Sequence, residues 1–270
     1  MTSIISSPQN PRLKAAARLR DRRDRVEQKR IIIDGAREAG RAAQAGVKLL
    51  EIFLCPTLLH TEEARQVVTL LRQYPAELFE LSPAAWEKLA YGDRSDGVLV
   101  VAETPHRALA ELQLPARPLI AIAAEVEKPG NLGAIARSAD AAGVSALIVA
   151  AGRTDLFNPN AIRASMGALF SLPVCEAGVP ETLAWLHANS LQIVTARVDA
   201  RRWYTEIDWT LPTAVVLGSE ALGLDAAWTG PEIQAVALPM MGGADSLNVS
   251  TTGAVLFYEA LRQRGFPDRA

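Results

Sequence analysis

Apolar runs separated by amphipathic stretches recur along the chain and predict strands that alternate with helices. Leu119–Ala124 is a continuous apolar run, as expected for a strand buried on both faces of a parallel sheet. Shorter apolar runs at 146–150, 192–195, 214–217 and 235–238 predict further strands. The second half of the chain is therefore predicted to be a doubly wound parallel α/β domain.

Polar residues mark the predicted starts of two helices in this half. Asn131 is expected to cap a helix whose apolar residues recur at i, i+3, i+4 and i+7. Ser246 is expected to cap a helix with the same spacing that runs to Arg264. A third helix is predicted over 159–170.

The first half repeats the alternation on a smaller scale. A single charged helix is predicted over 12–30, and the apolar segments after it predict four short strands, at 31–33, 49–54, 78–81 and 98–102. The proline-containing stretch 105–117 is typical of a linker. We therefore predict a smaller α/β domain over 1–104, the linker 105–117 and a second domain over 118–270.

Composition excludes several classes of protein. At 270 residues and 49% hydrophobic content, the chain can bury a full core without disulfides or metal. No apolar run is long enough to span a bilayer, and no signal-peptide core precedes the first domain. Cys55 and Cys175 are isolated, as buried free thiols of a reducing cytosol would be, so a cytoplasmic location is expected. The three histidines lack ligand spacing, and no metal site is expected.

Charge is distributed unevenly. The net charge is −2, yet the segment 11–30 holds nine basic residues against three acidic ones. A basic segment on an acidic body can follow an RNA phosphate backbone, and Arg12, Lys14 and Arg18 are the candidate contacts. The alternative is a solvated helix stabilised by Arg–Asp pairs.

Three strand ends in the second half carry polar or glycine-rich junctions, at 125–133, 217–224 and 238–250. In open α/β sheets ligands bind beyond the carboxyl ends of the strands, so these loops can form one site. Neither a Lys-Ser/Thr phosphate loop nor a G-x-G-x-x-G follows a strand, which argues against nucleoside triphosphates and dinucleotides. The stretch 238–250 taken alone is more typical of a well-capped helix start than of a ligand site.

Together the three junctions resemble the three sequence motifs of the SpoU (TrmH-type) family of RNA ribose methyltransferases, in the family's order. The residues that carry the resemblance are Asn131, Gly133 and Arg137 in the first motif, Gly218, Ser219 and Glu220 in the second, and Pro239, Met240 and 246–250 (Ser-Leu-Asn-Val-Ser) in the third. The first half resembles the small ribosomal-protein-like α/β domain of many members, through its opening Ser7-Pro-Gln-Asn10 and its general pattern.

The resemblance implies a homodimer whose catalytic domain contains a deep trefoil knot, and S-adenosylmethionine (AdoMet) as cofactor. It places the cofactor among Leu217, Gly218, Leu238, Met240 and Leu247, with Met240 and Leu247 as apolar walls. It also implies that Arg163, in a stretch common in the family, contacts RNA or the partner subunit. A knot is not expected from base rates, and nothing in the spacing indicates one.

The resemblance assigns the catalytic role to Arg137, commonly described as a base. A guanidinium stays protonated in proteins, so holding a phosphate and stabilising the developing alkoxide is the physically easier role. The alternative for Arg137 is a surface ion pair with Asp140 at i+3. Asn131, Ser246 and Asn248 are expected to orient substrate and loops. Glu220 is expected to do the same, although it is also typical of a helix-start carboxylate.

The function implied is AdoMet-dependent methylation of a ribose 2′-hydroxyl of RNA. Ribosomal RNA is favoured as substrate because this type of first domain usually accompanies it, and transfer RNA is the alternative. A non-catalytic RNA-binding or ribosome-assembly module of the same fold is a second alternative, against which the retention of the motif residues argues. A nucleotide-binding α/β enzyme of another kind is disfavoured by the missing phosphate loop.

Overall fold

Helices and strands alternate through most of the chain in the structure, a computed structural model that describes residues 3–90, 96–152, 154–219 and 223–266. Up to residue 103 the elements are β1 (Ser3–Ile5), α1 (Pro11–Arg18), α2 (Arg22–Gln28), β2 (Arg30–Asp34), α3 (Ala36–Gln44), β3 (Leu49–Leu54), α4 (Glu62–Leu71), β4 (Glu77–Leu81), α5 (Pro83–Trp86) and β5 (Val98–Glu103). The following elements are β6 (Leu119–Ala124), α6 (Pro129–Ala141), β7 (Ala146–Ala150), α7 (Pro159–Ala164), α8 (Ala168–Ser171), β8 (Val174–Ala177), α9 (Val179–Ala188), β9 (Gln192–Ala196), β10 (Arg202–Trp203), β11 (Thr213–Leu217), β12 (Ile233–Ala237) and α10 (Val249–Arg264).

The chain divides into two compact units. Unit 1 holds the residues up to Pro105 together with Phe157–Ser171, and unit 2 holds His106–Leu156 and the residues from Leu172 onward. Residues 157–171, which the sequence assigned to the second domain, therefore group with unit 1. The segment was predicted as one helix but forms two, because Met166 and Gly167 adopt positive φ values of 53° and 83° and end α7.

Unit 1 is built on a five-stranded sheet in the order β1-β4-β3-β5-β2, in which β5 runs antiparallel to both of its neighbours. Phe53 and Phe79 stack in its core with ring centroids 5.4 Å apart. Leu13 and Leu19 from the basic segment lie in the same buried cluster. The apolar residues of α1 therefore anchor the basic segment to the body of unit 1.

The basic segment is not the single helix predicted over 12–30. Asp21 starts a second helix, because its side chain accepts a hydrogen bond from the backbone N–H of Arg23 (2.8 Å). Arg25 is buried, and its Nη1 donates to the carbonyl oxygens of Leu19 and Arg20, both at 2.7 Å. The buried guanidinium thus satisfies carbonyl groups at the break between α1 and α2.

Asp34 joins α7 to the sheet of unit 1 through an ion pair. The Nη2 of Arg163 lies 2.9 Å from Asp34 Oδ2, and the Asp34 side chain is mostly buried. Burial raises the pKa of Asp34 to about 6, although Arg163 and Arg20 act in the opposite direction; the nearby carboxylates of Asp96 and Glu38 raise it further. Arg163, predicted to contact RNA or a partner, is held within unit 1.

We expect Asp34 to make unit 1 less stable as the pH rises from about 4 to about 6. Its folded-state pKa lies above the unfolded value, so the folded state binds more protons in this window and loses that advantage as Asp34 ionises. Urea unfolding of the wild type and Asp34→Asn measures the effect: the wild type should lose on the order of 2 kcal/mol relative to the variant across the window. Parallel pH profiles would contradict this assignment.

Unit 2 contains a seven-stranded sheet in the order β10-β12-β9-β11-β6-β7-β8, and every pair of neighbours is parallel. The central strands β6 and β11 are buried along their whole length, as their unbroken apolar sequences predict. The parallel α/β fold predicted for this half is confirmed. The two-residue edge strand β10 was not predicted.

Helix α10 covers β11 and packs against α6. It begins at Val249 rather than at Ser246, and its N-cap is Asn248, whose side chain accepts from the backbone N–H of Ser250 (2.9 Å). The predicted cap at Ser246 is therefore wrong by two residues, because the Asn248 side chain accepts the N–H of Ser250, the second residue of the helix. Gly253 allows the close approach to β11, since a Cβ there would lie 2.8 Å from Leu217 Cδ1.

Arg264, in the final turn of α10, binds backbone groups that lie before β6 and β11, at the amino ends of these two strands. Its guanidinium donates to the carbonyl oxygens of Trp209 (2.7 Å), Leu211 (2.8 Å), Arg117 (2.8 Å) and Pro118 (3.2 Å). The last two lie directly before β6. Burial lowers the pKa of Arg264, with the Arg117 charge acting in the same direction. Helix α10 is thus fixed to the sheet at its end as well as along its length.

We expect Arg264→Ala to lower the free energy of unfolding of unit 2 by about 2–3 kcal/mol, because four carbonyl groups lose a charged donor at a partly buried position. Denaturant unfolding monitored by tryptophan fluorescence measures the loss. Arg262→Ala is the control on the same turn: Arg262 is exposed, and the buried Glu259 carboxylate keeps its hydrogen bond from Gln263 when Arg262 is removed, so the loss should be smaller. Equal effects of the two substitutions would contradict the proposed anchor.

Candidate active site

The three predicted junctions all lie in unit 2, and each follows the carboxyl end of a strand. The junctions after β6 and β11 are adjacent because these two strands pair in register over their full length. The third junction follows β12, which is separated from β11 only by β9. The edge of the parallel sheet therefore brings the three sequence motifs to one region, as expected for a ligand site of an open α/β sheet.

The loop after β11 is closed tightly on itself. Ser219 and Gly223 exchange two backbone hydrogen bonds of 3.0 and 3.1 Å. A Cβ at Gly218 would lie 2.6 Å from the carbonyl carbon of Gly223, so the close approach requires glycine. Leu217, directly before it, is fully buried. Residues 220–222, and with them the predicted site residue Glu220, lie outside the described residues.

The junction after β6 leads into helix α6. Glu125 adopts a positive φ of 56° and still donates its backbone N–H to the carbonyl of Ala150 (3.1 Å). The helix starts at Pro129, so Asn131 is its third residue and not its N-cap, which is Lys128. This corrects the predicted cap: Pro129 at the first position has no backbone N–H to satisfy, and the helix starts three residues earlier than predicted. The Asn131 side chain is left to make other contacts.

Asn248 connects the third junction to the first. Its Nδ2 donates to Asn131 Oδ1 (3.1 Å), while its Oδ1 accepts from the backbone N–H and the hydroxyl of Ser250. One side chain thus caps α10 and links it to α6 across 117 residues of sequence. The structure brings Asn131 and Asn248 together as predicted site residues, whereas Ser246 lies exposed in the loop before the helix.

The loop between β12 and α10 exposes apolar side chains. Met240 is 36%, Leu247 39% and Met241 95% exposed, although residues of this type are usually buried. Leu238 lies at the start of the loop, one residue beyond β12. The described part of 238–248 contains no lysine or arginine. The loop therefore offers apolar surface and backbone groups to a ligand, without a cation to hold a phosphate.

Thr195 on β9 is a residue that the sequence did not identify. Its hydroxyl oxygen is buried, and it has no hydrogen-bond partner among the described residues. Thr195 pairs in register with Val216, the penultimate residue of β11, and with Ala235, the central residue of β12. A buried unpaired hydroxyl is costly unless something satisfies it. The only sequence signal was a threonine inside the apolar run of β9.

Arg137 is exposed on α6, six residues after Asn131. No hydrogen bond or ion pair joins it to another residue of the described ranges, so the alternative ion pair with Asp140 is not formed. Its guanidinium is available to an external anion. The proposed catalytic role remains a prediction.

The basic residues predicted to contact RNA divide into two groups. Arg12 is neutralised by Glu51 (2.8 Å) and Glu77 (3.0 Å) and lies over the Phe79 ring, and Arg18 pairs with Asp24 (2.7 Å). Lys14 is exposed and makes no ion pair with another described residue. The same holds for four basic residues that the sequence did not single out: Arg22, Arg23, Lys29 and Arg30.

Two further properties concern metals and membranes. Within the described ranges, no group of three or more histidine, cysteine, aspartate or glutamate residues is arranged to hold a metal ion. No helix of the described chain has the length and apolar character needed to cross a membrane.

Two family models match the chain. Residues 10–100 match the MRM3-like substrate binding domain, and residues 118–258 match the SpoU rRNA Methylase family. The second match covers more than half of the sequence and includes all three junctions. The chain belongs to the SpoU rRNA methylase family. The family resemblance predicted from the three motifs is confirmed.

Relatives of this SpoU-family chain match along nearly its whole length. A 23S rRNA (uridine(2479)-2'-O)-methyltransferase of Streptomyces viridochromogenes is 31% identical over 94% of both chains. A crystal structure of an RNA 2'-O ribose methyltransferase is 43% identical, covers 97% of this chain and 99% of its own, and superposes with a TM-score of 0.84. The SpoU methyltransferase AviRb of S. viridochromogenes, solved with AdoMet, is 29% identical over 95% and 98% of the two chains, with a TM-score of 0.85.

Proposed function

We propose that this chain is an enzyme that transfers a methyl group from AdoMet to a ribose 2′-hydroxyl of RNA, with ribosomal RNA as its substrate class. The observation that supports this proposal most directly is the Asn248–Asn131 hydrogen bond, which joins two of the three family motifs at the carboxyl ends of the strands. Relatives that match nearly the whole chain support the substrate class, because their names specify 23S rRNA. An rRNA substrate would place the protein in the cytoplasm.

The residues at the site fit AdoMet. An adenine ring and a methionine chain need apolar walls, and Met240 and Leu247 present apolar surface in a loop without cationic side chains. The cofactor carries a positive sulfonium, so the absence of lysine and arginine from residues 238–248 favours it over a phosphorylated ligand. Backbone groups at Leu217, Gly218 and Leu238 and the unpaired Thr195 hydroxyl would supply hydrogen bonds.

The reaction forms a bond between the ribose 2′-oxygen and the methyl carbon, breaks the sulfur–methyl bond so that the sulfonium becomes a neutral thioether, and passes the 2′-proton to water. When bound, AdoMet supplies the activated methyl group. Arg137 cannot accept the proton at neutral pH, because its guanidinium is protonated. We assign it the binding of a substrate phosphate and the stabilisation of negative charge on the 2′-oxygen. Asn131 and Asn248 hold the starts of α6 and α10 together, which fixes the end of the cofactor loop at the sheet. Ser246 and Glu220 are assigned to orient the loops.

We propose that the basic segment 11–30 contributes RNA contacts to unit 1 through Lys14, Arg22, Arg23, Lys29 and Arg30. These five cations are exposed and make no ion pair with a described residue, whereas Arg12 and Arg18 are paired with carboxylates. Phosphate contacts release counterions, so each cation removed should reduce the salt dependence of RNA binding by about one unit of slope. A double substitution of Arg22 and Arg23 that leaves this slope unchanged would contradict the assignment.

We also propose that the active form is a homodimer in which Arg137 serves the site of the other subunit. The exposed position of Arg137 and the exposed side chains Met241 and Leu247 support this arrangement. The trefoil knot that the family resemblance implies is part of the same proposal. Sedimentation velocity tests the oligomer: a monomer that remains active would contradict the shared site.

The function is tested by calorimetric titration with AdoMet, followed by tritium transfer to rRNA, ribosomal subunits, assembly intermediates and tRNA. A 2′-O-methyl group blocks alkaline cleavage at its nucleotide, so label in alkali-resistant dinucleotides of rRNA is the expected result. Label confined to tRNA would select the alternative substrate. Failure to bind AdoMet would overturn the enzyme proposal and favour a non-catalytic RNA-binding module of the same fold.

A further inference from the structure

Trp203 is the most unusual exposed side chain near the candidate site. Its side chain is 48% exposed, whereas Trp86, Trp209 and Trp228 are almost fully buried. It belongs to β10 and pairs in register with Ala237, the last residue of β12. Ala237 directly precedes Leu238, where the proposed cofactor loop begins. The exposed indole therefore lies at the sheet edge beside the start of that loop.

The backbone that carries Trp203 is fixed on both sides. The preceding Arg202 donates to Gln234 Oε1 (2.6 Å), and the Trp203 N–H donates to Glu206 Oε2 (2.5 Å). The carbonyl of Tyr204, the next residue, accepts from the indole nitrogen of the buried Trp209 (2.8 Å). Because the backbone at Trp203 is already fixed, little conformational entropy is lost when a ligand binds the exposed ring.

The surroundings of Trp203 favour a nucleic-acid partner. Arg201 is exposed and makes no ion pair within the described ranges, and Arg202, which directly precedes Trp203 in the chain, is also exposed. Val198, on the same connection after β9, adds 75% exposed apolar surface. Aromatic rings with neighbouring arginines are the usual platform for unpaired bases, which stack on the ring while the cations contact phosphates.

We infer that Trp203 is a stacking surface for an unpaired base of the RNA, located beside the target nucleotide. This inference rests on the proposed function, since it concerns the same substrate. It adds a requirement on the RNA substrate that the three motifs do not indicate: the base next to the methylated nucleotide must be unstacked from its neighbours. Duplex RNA should not bind here, because its bases are already stacked on one another and none is left to stack on Trp203.

Intrinsic fluorescence of the full chain reports on Trp203 directly, because it is the most exposed of the tryptophans. The probe is a single-stranded RNA of about ten nucleotides and mixed sequence, compared with the same strand annealed to its complement. Single-stranded RNA should quench the emission and protect it from iodide, and the duplex should not. Trp203→Phe should abolish the fluorescence change and retain most of the affinity, since a phenyl ring still stacks.

Trp203→Leu separates stacking from simple apolar contact. Leucine keeps much of the apolar surface but has no ring, so single-stranded RNA should bind roughly 5- to 100-fold more weakly, the range found when a stacking aromatic is removed. Leu211→Ala is the matched control, because Leu211 is 47% exposed and lies two residues before β11, at the amino end of a central strand and away from the three junctions. It should bind RNA like the wild type.

Two results would overturn the inference. Wild-type RNA affinity in Trp203→Leu would exclude stacking, and dissociation of a dimer by the same substitution would assign the surface to a second copy of the chain. AdoMet titration of the same proteins keeps this test separate from the proposed function. If the wild type fails to bind AdoMet, the enzyme proposal fails; if Trp203→Leu binds AdoMet normally but keeps full RNA affinity, only the stacking inference fails.

Discussion

Gly218→Ala is expected to weaken AdoMet binding by about 10- to 100-fold. The added Cβ would lie 2.6 Å from the carbonyl carbon and 2.7 Å from the carbonyl oxygen of Gly223, and backbone atoms cannot move aside as a flexible side chain can. The loop must open, and the two hydrogen bonds between Ser219 and Gly223 must lengthen or break. Their loss costs about 1–3 kcal/mol, which corresponds to the expected change in affinity.

Calorimetric titration with AdoMet measures this effect, and thermal unfolding shows whether the variant is folded. Gly242→Ala is the matched control, because a Cβ at Gly242 meets no atom within 4 Å and the residue lies in the neighbouring loop of the same site. It should bind AdoMet within a few-fold of the wild type. A folded Gly218→Ala protein with unchanged affinity would show that the loop after β11 does not contact the cofactor.

Arg137→Ala is expected to reduce the rate of methyl transfer by at least about 100-fold while leaving AdoMet binding nearly intact. The side chain is exposed and makes no contact with the described part of the cofactor loops, so its loss should not disturb the fold. Removing one charge that stabilises a developing anion typically costs about 10²–10³ in kcat. Single-turnover transfer to saturating RNA measures the chemical step separately from binding.

Arg137→Lys supplies the control for charge alone. Lysine keeps the cation but lacks the planar fork that binds a phosphate through two parallel hydrogen bonds, so an intermediate rate is expected. If Arg137→Ala abolishes AdoMet binding instead, Arg137 is part of the cofactor site and the electrostatic role is wrong. Mixing Arg137→Ala with a protein defective in its cofactor loop should restore activity if the arginine acts across a dimer.

The fold of unit 2 was predictable because its central strands are unbroken apolar runs. Leu119–Ala124 and Thr213–Leu217 are buried on both faces, so their burial can be predicted directly from the sequence. The burial pattern gives no such signal for the edge strand Arg202–Trp203, because the strand is only two residues long and exposed. Helix starts were missed by two or three residues where Pro129 and Asn248 determined the first turn, since caps depend on local geometry more than on periodicity.

The candidate site was predictable only through its motifs. Periodicity placed the three junctions at strand ends, but the hydrogen bond between Asn131 and Asn248 joins residues 117 positions apart, and no local pattern indicates it. The same limit applies to the cations. Arg12 and Arg163 have the same side chain as Arg137 in the sequence, yet carboxylates of distant strands bind the first two. Which arginine stays available to RNA is decided by tertiary structure.

The attachment of α10 also determines when unit 2 can fold during synthesis. Arg264 donates to the carbonyl of Arg117 across 147 residues, and the helix packs on α6 and β11, which are translated long before it. A nascent chain therefore exposes the apolar surface of these elements until α10 leaves the ribosome, and long-range contacts of this kind slow folding. Protease resistance of stalled chains should appear only after α10 has emerged; earlier resistance would contradict this order. Unit 2 can therefore complete its fold only after the whole domain has been translated.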